Sequence, residues 1–189
     1  MSVNNEKVKN MILFFVSKIN NITSIKLQKA MLLADRMYWA CCKESISGLE
    51  YVKAQYGPVM ESEGKKILSE MDNTILKVTY STNDSEYNSK TRTTNTSPDM
   101  SVFSTKEIDL LEDVCNIIKG HSEKELVNMT HDEAWEKAEI GEILPYQSCI
   151  YEEVIDKKID LSKDEKALAL KAIKEENYVT LEALASTWR

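Results

Sequence analysis

Residues 25–42 read IKLQKAMLLADRMYWACC, and no other stretch narrows so sharply what this chain can fold into. From Leu27 onward only Gln28, Lys29, Asp35 and Arg36 are polar. A helix that is apolar around most of its circumference must be buried by its neighbours. At about 100° per residue the four polar side chains gather into one stripe. The segment therefore predicts a helix running through the middle of a helical domain. It is too short and too polar to cross a membrane. Leu32 and Trp39, seven residues apart, fall inside the polar stripe. Either a later part of the chain or another molecule has to cover them.

The flanking chain supplies that domain. Val8, Met11, Ile12, Phe15 and Ile19 recur at helical spacing and predict an amphipathic helix over 4–20. Thr23 is placed to cap the central helix. Residues 49–56 alternate and are rich in β-formers, which predicts a short strand or extended arm ending at Gly57-Pro58. Pro58 then suits the first position of a helix over 59–71. The clearest strand is 75–80. In 81–97, twelve of seventeen residues are Ser, Thr or Asn, so no core can come from them. That stretch either folds back as a hairpin, turning near Asn83-Asp84-Ser85 with 87–94 as an edge strand, or forms a mobile loop. The order of 81–102 stays open.

Four capping boxes punctuate the second half: Ser104/Glu107, Ser122/Glu125, Thr130/Glu133 and Ser162/Glu165. They predict helices over 105–119, stopped by Gly120, and over 123–129, 131–138 and 163–176. Phe103 and Ile108 are spaced as a hydrophobic staple on the first. Pro145 is placed to open a further helix through 155, and Thr180 a last short turn. The expected class is mainly α (α+β): a compact multi-helix domain around a buried central helix, with a small antiparallel β element. Residues 1–146 form the domain, and 147–189 are expected to be a helical extension packed on it.

Searching these elements for chemistry yields little. Asp and Glu outnumber Lys and Arg by 31 to 24, for a net charge of −7. A protein that neutralises phosphates needs the opposite balance, so nucleic-acid binding is not expected as its main work; a basic protein partner is favoured instead. The apolar patch at 11–16 lies within an amphipathic helix and does not resemble a signal peptide, so a cytoplasmic location is expected. Cys41 and Cys42 are neighbours, while Cys115 and Cys149 stand alone. Without spaced pairs, reduced buried thiols are expected. The two histidines, His121 and His131, have no elbow or triad signature near them, and helix-end hydrogen bonding accounts for both. Neither C-x-x-C nor H-x(3–5)-H spacing occurs, and the five glycines form no phosphate-binding pattern. No catalytic, metal or cofactor residue is assigned. Three features remain unexplained by composition: Tyr56-Gly57-Pro58-Val59, His131-Asp132-Glu133-Ala134-Trp135, and the Leu32/Trp39 pair.

Taken in order, KLQKAMLLADRMYWA at 26–40, QYGPV at 55–59, FSTKEIDLLEDV at 103–114 and HDEAWEKA at 131–138 resemble the Panacea domain of SocA-like antitoxins and related phage proteins. The resemblance runs over about 8–146. It implies a mostly α-helical domain with a small β element. It further implies an antitoxin that neutralises its toxin by direct protein contact, with at least one member acting as an adaptor that hands its toxin to a protease. One departure stands out, since the family's usual Trp two residues before the YGP tyrosine is replaced by Ala54. The expected function is thus a non-enzymatic antitoxin with a cognate toxin as partner, using no cofactor, membrane or direct nucleic-acid contact. The alternative is a phage- or prophage-encoded interaction protein or proteolytic adaptor serving a host protein or protease. The expected contact surface is the exposed side of the central helix, Lys29, Leu32, Arg36 and Trp39, together with Gln55, Tyr56 and Gly57.

Overall fold

Every α-helix of the described residues except α3 starts at a side chain that satisfies a free N–H group of its first turn. A computed structural model describes residues 3–81 and 89–146. Helix α1 (Asn5–Lys18) begins where the Asn4 side chain accepts from the Lys7 N–H at 3.1 Å, and it buries Val8, Met11, Ile12, Phe14 and Phe15. Helix α2 (Ser24–Cys42) is the central one, capped by Thr23, and it ends at Lys43 in the left-handed conformation with φ +59°. Helix α4 (Thr105–Gly120) and helix α5 (Glu123–Thr130) start at complete capping boxes, Ser104/Glu107 and Ser122/Glu125. Helix α3 (Ser62–Met71) and the short helix α6 (Glu133–Lys137) complete the α-helices of the described residues. Helices α1, α4 and α5 all pack on α2. Leu27, Ala30, Met31, Leu32, Ala34 and Met37 of α2 are buried in the shared core.

Two small antiparallel sheets complete the fold. Strands β1 (Ile22–Thr23), β4 (Lys77–Ser81) and β5 (Ser89–Thr93) form one in the order β1-β5-β4, with Val78 opposite Arg92 and Arg92 opposite Ile22. In the other, β2 (Tyr51–Val52) lies between β3 (Val59–Met60) and β6 (Ile143–Leu144). There Tyr51 faces both Met60 and Leu144. The fold is mainly α with a small β element. Strand β5 supplies the folded-back hairpin partner of β4 but lies in the middle of its sheet rather than at the expected edge, because β1 pairs with its other side; the turn near Asn83-Asp84-Ser85 lies outside the described residues. So do the helix expected over 163–176, the turn at Thr180, the Ser162/Glu165 box, Cys149, the extension 147–189 and all of the helix expected from Pro145 through 155 except Pro145 and Tyr146, which are not helical.

Several local expectations are corrected, some by a partner far away in sequence and some by a competing local bond. The arm over 49–56 keeps only two strand residues before turning, where the Gly57 N–H donates to the Ala54 carbonyl at 3.1 Å. Pro58 does not open a helix. Its carbonyl accepts from Lys29 Nζ at 3.1 Å, and the Met60 N–H donates to Gln28 Oε1 at 2.8 Å, so 59–60 stay extended and α3 starts only at Ser62. The Thr130/Glu133 box does not form. Thr130 Oγ1 donates back to the Leu126 and Val127 carbonyls inside α5, and Asp132 caps α6 through the Trp135 N–H at 2.8 Å. Cys115 is buried, but Cys41 and Cys42 at the end of α2 are half-buried free thiols. No helix among the described residues is long and apolar enough to cross a membrane.

Candidate functional site

The polar stripe of α2 is where the structure differs most from its sequence pattern. On a helix such a stripe usually faces water. Here each of its four side chains holds a different piece of chain. Gln28 and Lys29 pin β3 and Pro58, as above. Asp35 accepts from the Ser47 N–H at 2.9 Å and from the Tyr51 hydroxyl at 2.7 Å, and also from Ser47 Oγ. Arg36 Nη1 donates to Asp132 Oδ2 at 2.9 Å, an ion pair whose two side chains are 4% and 2% exposed. The expectation of an exposed helix face is therefore corrected, because Lys29, Leu32 and Arg36 retain 1%, 0% and 4% of their accessible surface. Later chain covers them: 57–60 over Lys29, and 131–132 over Arg36. Trp39 is half-buried, with the Lys43 ammonium 4.9 Å from its ring centroid.

The motifs at 56–59 and 131–135 meet over Lys29 of α2. Gly57 has φ +91°, and a Cβ placed there would lie 2.4 Å from Lys29 Nζ and 3.0 Å from His131 Nε2. Only a residue without a side chain permits that approach. His131 stacks on Trp135 with centroids 3.6 Å apart and planes 6° from parallel. Lys53 Nζ covers the Trp135 ring at 4.3 Å and donates to the Ala138 carbonyl at 3.0 Å, placing a cation at the negative end of α6. Trp135 Nε1 donates to the Ala54 carbonyl at 3.3 Å. Gln55 and Tyr56 stand exposed on top of this knot, and Gly57 is buried within it. Asp132 and Lys53 were not singled out as site residues from the sequence. The available signal was Arg36 itself, a lone arginine on an otherwise apolar helix that needs an acid somewhere.

Electrostatics at the knot follow from burial. Loss of water lowers the Lys29 pKa to about 7, and the nearby Arg36 charge adds to the effect. Burial also lowers His131, followed by the Lys29 charge, and His131 Nε2 is buried without a hydrogen-bond partner. Burial raises the Asp35 carboxyl to about 6 against the bonds from Ser47 and Tyr51. A lysine near neutrality beside a histidine has the profile of a proton-transfer pair. Such a pair needs an open approach for substrate, and Lys29 is closed over by Gly57 and Pro58. No group of three His, Cys, Asp or Glu among the described residues could hold a metal ion. The arrangement acts as a brace.

Lys29 makes stability depend on pH in a predictable direction. Its proton is bound more weakly in the fold, at about 7, than at its ordinary 10.5, so the unfolded chain carries more protons between those values. The penalty is complete below 7 and fades as pH rises. Urea midpoints of the native chain should therefore rise from pH 7 to pH 9 relative to Lys29→Met, which lacks the titrating group. Parallel pH profiles for the two proteins would assign the effect elsewhere.

The sequence model of one family, described as antitoxin SocA-like, Panacea domain, matches residues 27–136, well over half of the chain. That span runs from the start of α2 to α6 and contains the knot. No curated protein and no solved structure matches the chain.

Proposed function

Given that the chain belongs to the SocA-like antitoxin family of the Panacea domain, we propose that it is a cytoplasmic antitoxin that neutralises a cognate toxin by direct contact and without catalysis. The observation that carries this reading is the braced knot. Segments 26–40, 55–59 and 131–138 converge beneath two exposed side chains, Gln55 and Tyr56, and leave no open reactive centre there. Rigid support under an exposed aromatic suits a binding hot spot, because little conformational freedom is lost on docking. A net charge of −7 supports the same reading, since opposite fields speed encounter with a basic partner. In this reading Gln55, Tyr56 and the half-exposed Trp39 touch the toxin. Lys29, Arg36 and Gly57 hold that surface in shape, and Leu32 packs behind it. In this reading the binding is carried by residues 1–146.

The test is co-expression with the protein encoded in the adjacent reading frame. The native chain should restore growth and co-purify with that protein. Gln55→Ala/Tyr56→Ala should weaken the complex about 10- to 30-fold, the scale of one or two kcal/mol at a hot spot, with the melting temperature unchanged. A native chain that neither rescues growth nor binds sinks the reading. Rescue that disappears in a host lacking one protease would make the protein an adaptor rather than a mask.

A further inference from the structure

Across the end of the family-matched segment the chain reads EAWEKAEIGEI over 133–143, with glutamates at every third position, 133, 136, 139 and 142. This segment is stapled beside the Tyr56 turn. The Lys53 N–H donates to the Glu142 carbonyl at 2.9 Å, the Gly141 N–H donates to the Lys53 carbonyl at 2.9 Å, and β6 sets Ile143 opposite Val52. The tight turn itself is closed by the Glu142 N–H donating to the Glu139 carbonyl at 3.0 Å, with Gly141 at φ +88°. On this rigid support Ile140 is 71% exposed, Ile143 54% and Tyr56 42%. Among the described residues the other large apolar side chains so exposed are Ile75 and Tyr80, on and beside β4. Exposed apolar side chains are ordinary singly but informative when clustered.

We propose that Tyr56, Ile140 and Ile143 form one docking ridge, rimmed by Glu136, Glu139 and Glu142, for a partner protein that presents an apolar anchor within a basic face. This deepens the binding reading above and rests on it, extending the contact beyond the matched segment. Charge decides among the occupants. All four glutamates are exposed, and the one cation within 133–143, Lys137, already pairs with Glu133. A second copy would bring a net charge of −7 against this rim. The chain's own 147–189 carries nine acidic and seven basic residues, so it is no better matched in sign. A basic partner gains from the rim both in steering and in register.

A random dodecapeptide library displayed on phage and selected on the full-length immobilised chain tests this without knowledge of the partner. Enriched peptides should be basic with an aromatic or branched apolar anchor. Synthesised singly, they should lose at least tenfold in affinity to Ile140→Ser/Ile143→Ser. Glu136→Gln/Glu139→Gln should keep the apolar contact while flattening the dependence of binding on salt. Because the isoleucines are exposed, both variants should melt with the native chain. No enrichment, acidic or neutral winners, or peptides indifferent to the isoleucine pair would each overturn the proposal. So would self-association in sedimentation that the isoleucine pair abolishes, since the occupant would then be a second copy. The outcome is separable from the antitoxin reading, which stands or falls on growth rescue by the native chain.

Discussion

Asp132→Ala should destabilise the protein by about 3–5 kcal/mol, because it removes the carboxylate from a buried ion pair with the Arg36 guanidinium. That is a large share of the roughly 5–15 kcal/mol that holds a domain together. Both side chains are almost wholly buried, and the bond between them is 2.9 Å. Asp132 also caps α6 through the Trp135 N–H, and losing a cap adds about 1 kcal/mol. Asp132→Asn separates the two contributions, since an amide oxygen can still cap while the charge is gone. Arg36→Met should also be strongly destabilising, for it strands the carboxylate. The double variant Arg36→Met/Asp132→Asn should be more stable than the sum of the single losses predicts, because no charge remains unpaired. Urea denaturation of the four proteins measures the coupling. Strict additivity would mean that the pair is not what holds α6 to α2.

Gly57→Ala should cost about 2–4 kcal/mol, part from the backbone and part from crowding. At φ +91° an L-residue is strained wherever it is placed, and the new methyl would press on Lys29 Nζ and His131 Nε2. The lysine end is flexible in principle, but moving it breaks the bond to the Pro58 carbonyl and leaves an ammonium in a buried site. Shortening Lys29 to alanine in the same chain should recover the crowding share and leave the backbone share. Equal melting temperatures for the native chain and Gly57→Ala would show that the turn tolerates a side chain, and the knot would then be looser than its geometry implies.

What could be read in advance sorts by the reach of the interaction. Helices α1, α2, α4 and α5 were legible because their signals are local: apolar spacing, Thr23, and the Ser104/Glu107 and Ser122/Glu125 boxes. The start of α3 and the attachment of α6 to α2 were not, because Gln28, Lys29 and Arg36 of α2 decide them from far along the chain. Thr130 shows the same limit, since its hydroxyl had two possible uses and the interior of α5 took it. For the site, the sequence marked all three converging segments but assigned the α2 stripe to the surface. Polar residues on a helix are mostly solvated, and nothing near Lys29 or Arg36 announces that 57–60 and 131–132 will close over them.

The four attachments along α2 bear on how such a protein is taken apart. The arm through Ser47 and Tyr51, the turn at Pro58, strand β3 and helix α6 each end on the same rod, so none can peel away without breaking a buried polar contact to α2. Partial opening is therefore costly, and cleavage within 45–60 or 131–138 should wait for whole-domain unfolding. A cell that disposes of this protein quickly would have to seize it elsewhere and pull.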